Sequence, residues 1–194
     1  MSECVPDSLR FDDELPLLGI AAWSGTGKTT LLERLLPRLG ERGLRVAVIK
    51  HAHHGFDVDQ PGKDSHRLRQ AGASPMVVAS RARVALMMET PGRDEADLAE
   101  LIDMVRPQYP DLVLVEGFKA WPLPKLELYR PEVGKSLRAA EDPWVRAVAS
   151  DVALALPEGV ESLDLNDLAA LTDWIAAWPA RWPVYQAPRE EATA

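Results

Sequence analysis

Three observations predict an α/β domain with a mostly parallel sheet. Short apolar runs alternate with segments of helical periodicity along the chain. The first run, Leu17–Ala22, ends in a glycine-rich turn and is followed by an amphipathic stretch. The chain has 194 residues, 46% hydrophobic and 27% charged, which suits one domain with a sizeable core.

Taken in order, Leu17–Ala22 reads as a buried strand. Leu31, Leu32, Leu35, Leu36 and Leu39 then fall on one helical face, with Gly40 and Gly43 as stops. Pro37 lies inside that pattern and is expected to bend the helix or end it early. Residues 45–50 form the next strand, completing a βαβ unit whose crossover should be right-handed. A polar loop, 51–62, leads to a short helix at 63–71. Residues 75–79 and 83–88 are β-rich and joined by Ser80, Arg81 and Ala82, the spacing of a hairpin.

A helix is expected over 94–105 and an apolar strand over 112–115, ending in Glu116 and Gly117. Lys125–Tyr129 alternates apolar and charged residues and should be half-buried. Residues 145–149 form another strand, and 166–178 the last helix, ended by Pro179. Trp174, Trp178 and Trp182 recur every four residues and would form a stripe on a continuous helix, which Pro179 argues against; Trp174 and Trp178 read as core rather than as partner contacts. The domain boundaries follow: a polar N-terminal tail at 1–14, a nucleotide-binding domain at 15–178 and a mobile tail at 179–194. The expected architecture has helices on both faces of the sheet and an added β-hairpin.

Charge and composition narrow the function. The net charge is -8, which argues against nucleic-acid binding and against docking on anionic lipid. Cys4 is the single cysteine, so no disulfide framework is expected. No run is long enough to span a bilayer and the N-terminus does not read as a signal peptide, so a cytoplasmic location is expected.

The chemistry centres on residues 22–29, Ala-Trp-Ser-Gly-Thr-Gly-Lys-Thr, which carry the Gly-Lys-Thr ending of a phosphate-binding loop. Ala22 stands where the pattern has its first glycine. Gly25 and Gly27 allow the backbone to turn its N–H groups into one concavity. The helix that follows adds its positive end. Lys28 is placed to contact β and γ phosphates, and the Thr29 hydroxyl to ligate magnesium. The alternative is a glycine turn that merely starts a helix; the strand before it and the amphipathic helix after it favour nucleotide.

Open sheets of this kind bind ligands at the carboxyl ends of their strands. Glu116, in the Walker-B-like place, is expected to reach the magnesium shell, or else to be a solvated acid. Asp57 or Asp59 would reach magnesium from a switch-like loop. In a second reading His51, His53 and His54 and the aspartates hold a transition metal, and in a third the histidines line a phosphate pocket. Asp151 can accept from N1–H and the 2-amino group of guanine, a pair that adenine lacks, or it is a turn aspartate.

The chain resembles the MobB family of molybdopterin-guanine dinucleotide biosynthesis adapter proteins. The matching segments are AAWSGTGKTTLLERLLP at 21–37, VIKHAHHGFDVDQPGKDSHRLRQAGA at 48–73, VVASRARVALMMETP at 77–91, LVLVEGFK at 112–119 and AVASDVAL at 147–154. The histidine-aspartate loop followed by PGKDS is more specific than the phosphate loop. Ala22 fits a form of the loop found in the family.

The resemblance implies a P-loop NTPase fold of the signal-recognition-particle and MinD class. It implies GTP binding with slow hydrolysis, homodimerisation, and assistance to the guanylyltransferase that makes the guanine dinucleotide form of the molybdenum cofactor. Carried over by motif, Ser24, Gly25, Thr26, Gly27, Lys28, Thr29 and Thr30 would hold GTP. Thr29 and Glu116 would serve magnesium, and Lys28 and Glu116 are the candidate catalytic residues. Arg67, Arg69, Arg81 and Arg83 are candidates for an arginine acting across a dimer, or ordinary surface charges. The hairpin edge would pair with a second copy. The competing readings are a small-molecule kinase, which needs an acceptor pocket, and a nickel-delivery GTPase, which the histidine run supports weakly.

Overall fold

The structure is a computed structural model that describes residues 15–52, 55–93 and 95–184. The described chain falls into two compact units, residues 15–51 with 98–184, and residues 52–97.

The first unit is a six-stranded sheet in the order β2-β5-β1-β6-β7-β8, parallel at every pairing. Its strands are β1 (Leu17–Ala22), β2 (Val46–Lys50), β5 (Leu112–Glu116), β6 (Lys125–Tyr129), β7 (Val145–Ser150) and β8 (Glu161–Asp164). Every residue of β1, β5 and β7 is buried, as expected of inner strands covered on both faces.

Lys125–Tyr129 departs from expectation. It is buried from Lys125 through Leu128, because β6 lies between β1 and β7 rather than at an edge. Alternation there records two buried charges, Lys125 and Glu127, and not a solvated face. Gly19 pairs with Lys125 in this register, and a Cβ on Gly19 would stand 2.9 Å from the Lys125 Cγ. β8 carries no apolar run; it is an edge strand, with one partner to satisfy, so the sequence pattern does not mark it.

Helix α1 spans Lys28–Glu41 and runs through Pro37. Leu31, Leu32, Leu35 and Leu39 are buried while Pro37 is exposed. Burying each leucine contributes about 1.5–3 kcal/mol, together more than the ~3 kcal/mol cost of an interior proline. The α3 helix spans Leu98–Val105, starting later than expected, and Asp94 lies outside the described residues.

The last helix, expected over 166–178, is two: α4 (Leu168–Ala176) and α5 (Trp178–Arg181). Asp167 caps α4, its Oδ1 accepting from the Ala170 N–H at 2.9 Å. Pro179 sits in the first turn of α5, where its missing N–H costs nothing, so it starts a helix instead of closing one. Trp174, Trp178 and Trp182 are core residues, and the Trp178 indole N–H donates to the Leu17 carbonyl at 2.8 Å. Packing thus continues through Trp182, beyond the expected boundary at Trp178. Residues 1–14 and 185–194 lie outside the described residues.

The second unit holds α2 (Asp64–Gln70) and the antiparallel hairpin of β3 (Met76–Ala79) and β4 (Val84–Met87). The Ser80 N–H donates to the Arg83 carbonyl at 2.8 Å, and the Ser80 Oγ accepts from the Ala82 and Arg83 N–H groups. None of the residues of α2 is buried. Arg69 organises the unit: its guanidinium bonds Asp57 at 2.7 and 2.8 Å, Asp59 at 3.4 Å and Glu89 at 3.0 Å.

Candidate functional site

At the end of β1 the chain turns through Gly25 and Gly27, whose φ angles of +87° and +91° lie in the left-handed region that glycine tolerates. A Cβ built on either would meet nothing within 4 Å, so the constraint is the turn itself. The Thr26 side chain is buried and its Oγ donates to the Trp23 carbonyl at 2.8 Å, bracing the loop from within. Gly27 caps α1 without a side-chain hydrogen bond, and the first turn carries no acidic residue. Leu31 donates back to the Gly27 carbonyl at 3.0 Å. The N–H groups of Lys28, Thr29 and Thr30 precede that bond and point out of the helix end, with Thr29 and Thr30 exposed. An open, uncapped N-terminus of this kind favours an anion.

Glu116 closes β5 beside this loop. Its Oε1 is 2.9 Å from Lys28 Nζ and 3.4 Å from Lys50 Nζ, with the Glu116 side chain 12% exposed. The fold therefore brings Lys28 and Glu116 together across β1 and β5, and adds Lys50 from the end of β2. Lys50 is absent from the sequence reading because only the β2–β5 register, Lys50 opposite Glu116, brings the two together. Gly117 has φ +99°, and a Cβ there would stand 2.8 Å from the His51 Cβ. The close approach it permits is to His51, whose N–H donates to the Glu116 carbonyl at 2.8 Å and whose ring stacks on Phe118.

Asp151 directly follows β7, at the same end of the sheet. Its Oδ2 accepts from Arg130 Nη1, while Oδ1 is buried with no partner among the described residues. Arg130 also reaches the phosphate loop, Nε donating to the Thr26 carbonyl at 3.3 Å. One arginine thus ties the loop to Asp151. Sequence reasoning missed Arg130, since nothing local marks the residue after β6 as facing either group.

Glu127 is a third missed residue. Its carboxylate is buried and accepts from the N–H groups of Arg138 and Ala139, each at 2.8 Å. Burial pushes its pKa up, with those two N–H groups pulling the other way. This clamp fixes the segment whose Ser136 carbonyl accepts from the Trp23 indole N–H at 3.0 Å. Burial likewise pushes the Lys125 ammonium down, opposed by Asp142 at 3.0 Å.

Asp57 and Asp59 lie in the second unit, each engaged by Arg69. The Asp59 N–H and then Arg69 hold the Asp57 pKa below its ordinary value. At Asp59 burial raises the pKa, but Ser65, the Gln60 N–H and Arg69 outweigh it and leave it lowered. Arg69, one of the candidates for an arginine acting across a dimer, is committed to these carboxylates. No group of three or more His, Cys, Asp or Glu that could hold a metal ion occurs among the described residues, and His53 and His54 lie outside them. No helix of the described residues is long and apolar enough to cross a membrane.

Comparison with known proteins gives the lineage. The family model described as molybdopterin guanine dinucleotide synthesis protein B matches residues 17–151. The chain is 50% identical over 165 residues to the molybdopterin-guanine dinucleotide biosynthesis adapter protein of Escherichia coli K12, covering 84% of this chain and 93% of that protein. The adapter protein of Haemophilus influenzae is 45% identical over 168 residues, or 86% of this chain and 91% of that one. A crystal structure of molybdopterin-guanine biosynthesis protein B superposes with a TM-score of 0.66 at 27% identity, over 84% of this chain and 99% of that chain. The resemblance carried by the loop, the histidine-aspartate segment and the Glu116 strand extends over nearly the full length of these relatives, and the chain belongs to the MobB family.

Proposed function

We propose that this chain is a GTP-binding adapter that assists the guanylyltransferase forming molybdopterin guanine dinucleotide, with hydrolysis that is weak or depends on the partner. The observation that carries the reading is the 2.9 Å approach of Lys28 and Glu116 at an open, uncapped helix end. Ser24, Gly25, Thr26, Gly27, Lys28, Thr29 and Thr30 would hold the phosphates. Thr29 and Glu116 would hold magnesium. A magnesium ion held by these residues would supply charge neutralisation to the bound phosphates. Lys28 would exchange its carboxylate partner for phosphate oxygens, a trade between two anions rather than the burial of a bare charge.

Asp151 supplies the guanine preference in this reading. Its buried, unpartnered Oδ1 is an acceptor, and Arg130 fixes the carboxylate plane. The nucleotide-binding domain would begin at residue 15 and carry tails at both ends, in a cytoplasmic protein. Homodimerisation through the edge of the β3–β4 hairpin is supported by the exposure of Val77, Val84 and Leu86.

Calorimetric titration with GTP and with ATP, each with magnesium, tests this reading, repeated with the guanylyltransferase present. GTP is expected to bind more tightly and to change the partner's turnover. ATP preference without effect on the partner would overturn it.

A further inference from the structure

Leu128 of β6 pairs with Ala22, the last residue of β1, and Tyr129 pairs with Ser150, the last residue of β7. The residues that follow these three strands therefore leave the sheet side by side. Arg130 keeps extended backbone, φ -133° and ψ 119°, and continues the direction of β6. Its guanidinium bonds both neighbours: Nε donates to the Thr26 carbonyl at 3.3 Å, and Nη1 donates to Asp151 Oδ2. A guanidinium is planar and rigid, so the two bonds are held in fixed relation to one another.

The first bond fixes a peptide plane. Thr26–Gly27 is a trans peptide, so its C=O and N–H point in opposite directions. Gly27 lies at φ +91°, and glycine accepts either sign of φ, so this plane turns over at little steric cost unless something holds it. The other polar groups of Thr26 do not hold it, because its N–H and Oγ both donate to the Trp23 carbonyl. By holding the Thr26 carbonyl, Arg130 directs the Gly27 N–H away from itself. The second bond fixes a carboxylate: Asp151 Oδ2 is engaged, while Oδ1 is buried with no partner among the described residues.

We propose that Arg130 is a positioning residue that couples the two halves of the nucleotide site, setting the Thr26–Gly27 peptide for phosphate and the Asp151 carboxylate for guanine. It touches neither base nor phosphate and acts through one group at each. Ordering an arginine side chain costs entropy. A guanine that immobilises Asp151 also immobilises Arg130, so that cost is borne once for both halves, and recognition of the base tightens the hold on phosphate. The inference rests on the reading of Asp151 as the guanine acceptor and adds the coupling to it.

The test is calorimetric titration of the full-length protein with GTP and with ATP, each with magnesium, in the wild type, Arg130→Lys, Asp151→Ala and the double variant. Lysine keeps the charge, but its single nitrogen on a flexible stem does not hold two partners in one plane. ATP affinity reads the phosphate half, and the GTP-to-ATP ratio reads the base half. Arg130→Lys is expected to weaken ATP about tenfold and to cut the ratio about tenfold as well. Asp151→Ala should weaken ATP too, although it removes a negative charge near an anion, because Arg130 loses the partner that orients it. In the Arg130→Lys background it should have no further effect on ATP. The Gly27 amide resonance of the ligand-free protein should move in Arg130→Lys, a readout independent of nucleotide affinity. Equal weakening of GTP and ATP in Arg130→Lys would confine Arg130 to the loop, and weakening of GTP alone would confine it to the base. Either result overturns the coupling, as do ATP losses that simply add in the double variant or a Gly27 resonance that stays in place. An unchanged ratio in Asp151→Ala would remove the guanine reading itself and the coupling with it. A ratio lost in Asp151→Ala but kept in Arg130→Lys would overturn the coupling alone.

Discussion

The two units of this chain are held together by different forces. The sheet unit buries whole strands, with β1, β5 and β7 closed to solvent and Leu35, Leu39, Trp178 and Trp182 fully buried as well. The unit at 52–97 leaves Val77, Val84, Leu86 and Leu68 exposed and gathers three carboxylates around Arg69 instead. Apolar burial is insensitive to charge and pH, whereas an ion cluster depends on both. The phosphate loop thus follows a strand of the unit closed by apolar burial, while the segment with Asp57 is held by contacts that an ion or a change of pH can compete with.

The largest test of this contrast removes a core ring. Trp178→Ala should cost about 3–5 kcal/mol, through the cavity and the lost indole bond to Leu17, and denaturant unfolding monitored on the sheet unit will measure it. A loss below about 1 kcal/mol would mean the C-terminal helices are not part of the core. Next comes chemistry without packing. Lys28→Ala should leave the unfolding midpoint nearly unchanged and weaken GTP binding by at least about 100-fold in calorimetry. Unchanged affinity would remove the loop from the site.

The ion cluster predicts a local effect. Arg69→Ala should speed amide exchange across α2 and the 57–59 segment while exchange in β1 and β5 stays slow. Uniform acceleration in both units would contradict their independence. Acid separates the units by sign. Asp57 and Asp59 have folded pKa values below 3.8, so their stabilisation is complete above 3.8 and is lost as pH falls through those lowered values. Glu127 has a folded pKa above 4.5, so its contribution is complete below 4.5 and is lost as pH rises through the raised value. Carboxyl chemical shifts followed from pH 7 to pH 2 should show Asp57 and Asp59 titrating late and Glu127 early. Glu127 titrating at or below 4.5 would break the contrast.

What could be read from the sequence follows the same divide. The β1 run, the loop glycines and Lys28 are legible because strand, turn and helix chemistry are local, and four leucines state which face of α1 is buried. The pairing of Lys28 with Glu116 was within reach, since an acid at a strand end beside a phosphate loop has a known place. Arg130, Lys50 and Glu127 were not: Lys50 meets Glu116 only through the β2–β5 register, Arg130 meets the loop after β1 and the residue after β7, and Glu127 meets the N–H groups of Arg138 and Ala139 in the connection between β6 and β7. Lys125–Tyr129 misled for a related reason: alternation signals a half-exposed strand unless buried charges find partners, and Asp142 and the Arg138 and Ala139 N–H groups are those partners. The polar β8 edge carries no pattern to read.

The smallest predicted effect concerns the exposed hairpin. Val84 is 69% exposed, so replacing it with lysine removes little buried surface and should change the thermal midpoint by no more than about 0.5 kcal/mol equivalent. A lysine on a strand edge nevertheless opposes pairing with another edge, by charge and by the cost of desolvating its ammonium. If two copies meet along β4, Val84→Lys should shift sedimentation toward the monomer at micromolar concentration while leaving GTP affinity in the monomer intact. A wild-type protein that already sediments as a monomer would remove the hairpin from any role in self-association. A dimer untouched by the lysine would place the contact elsewhere, and the apolar face of β3 and β4 would then have to be explained by a different partner.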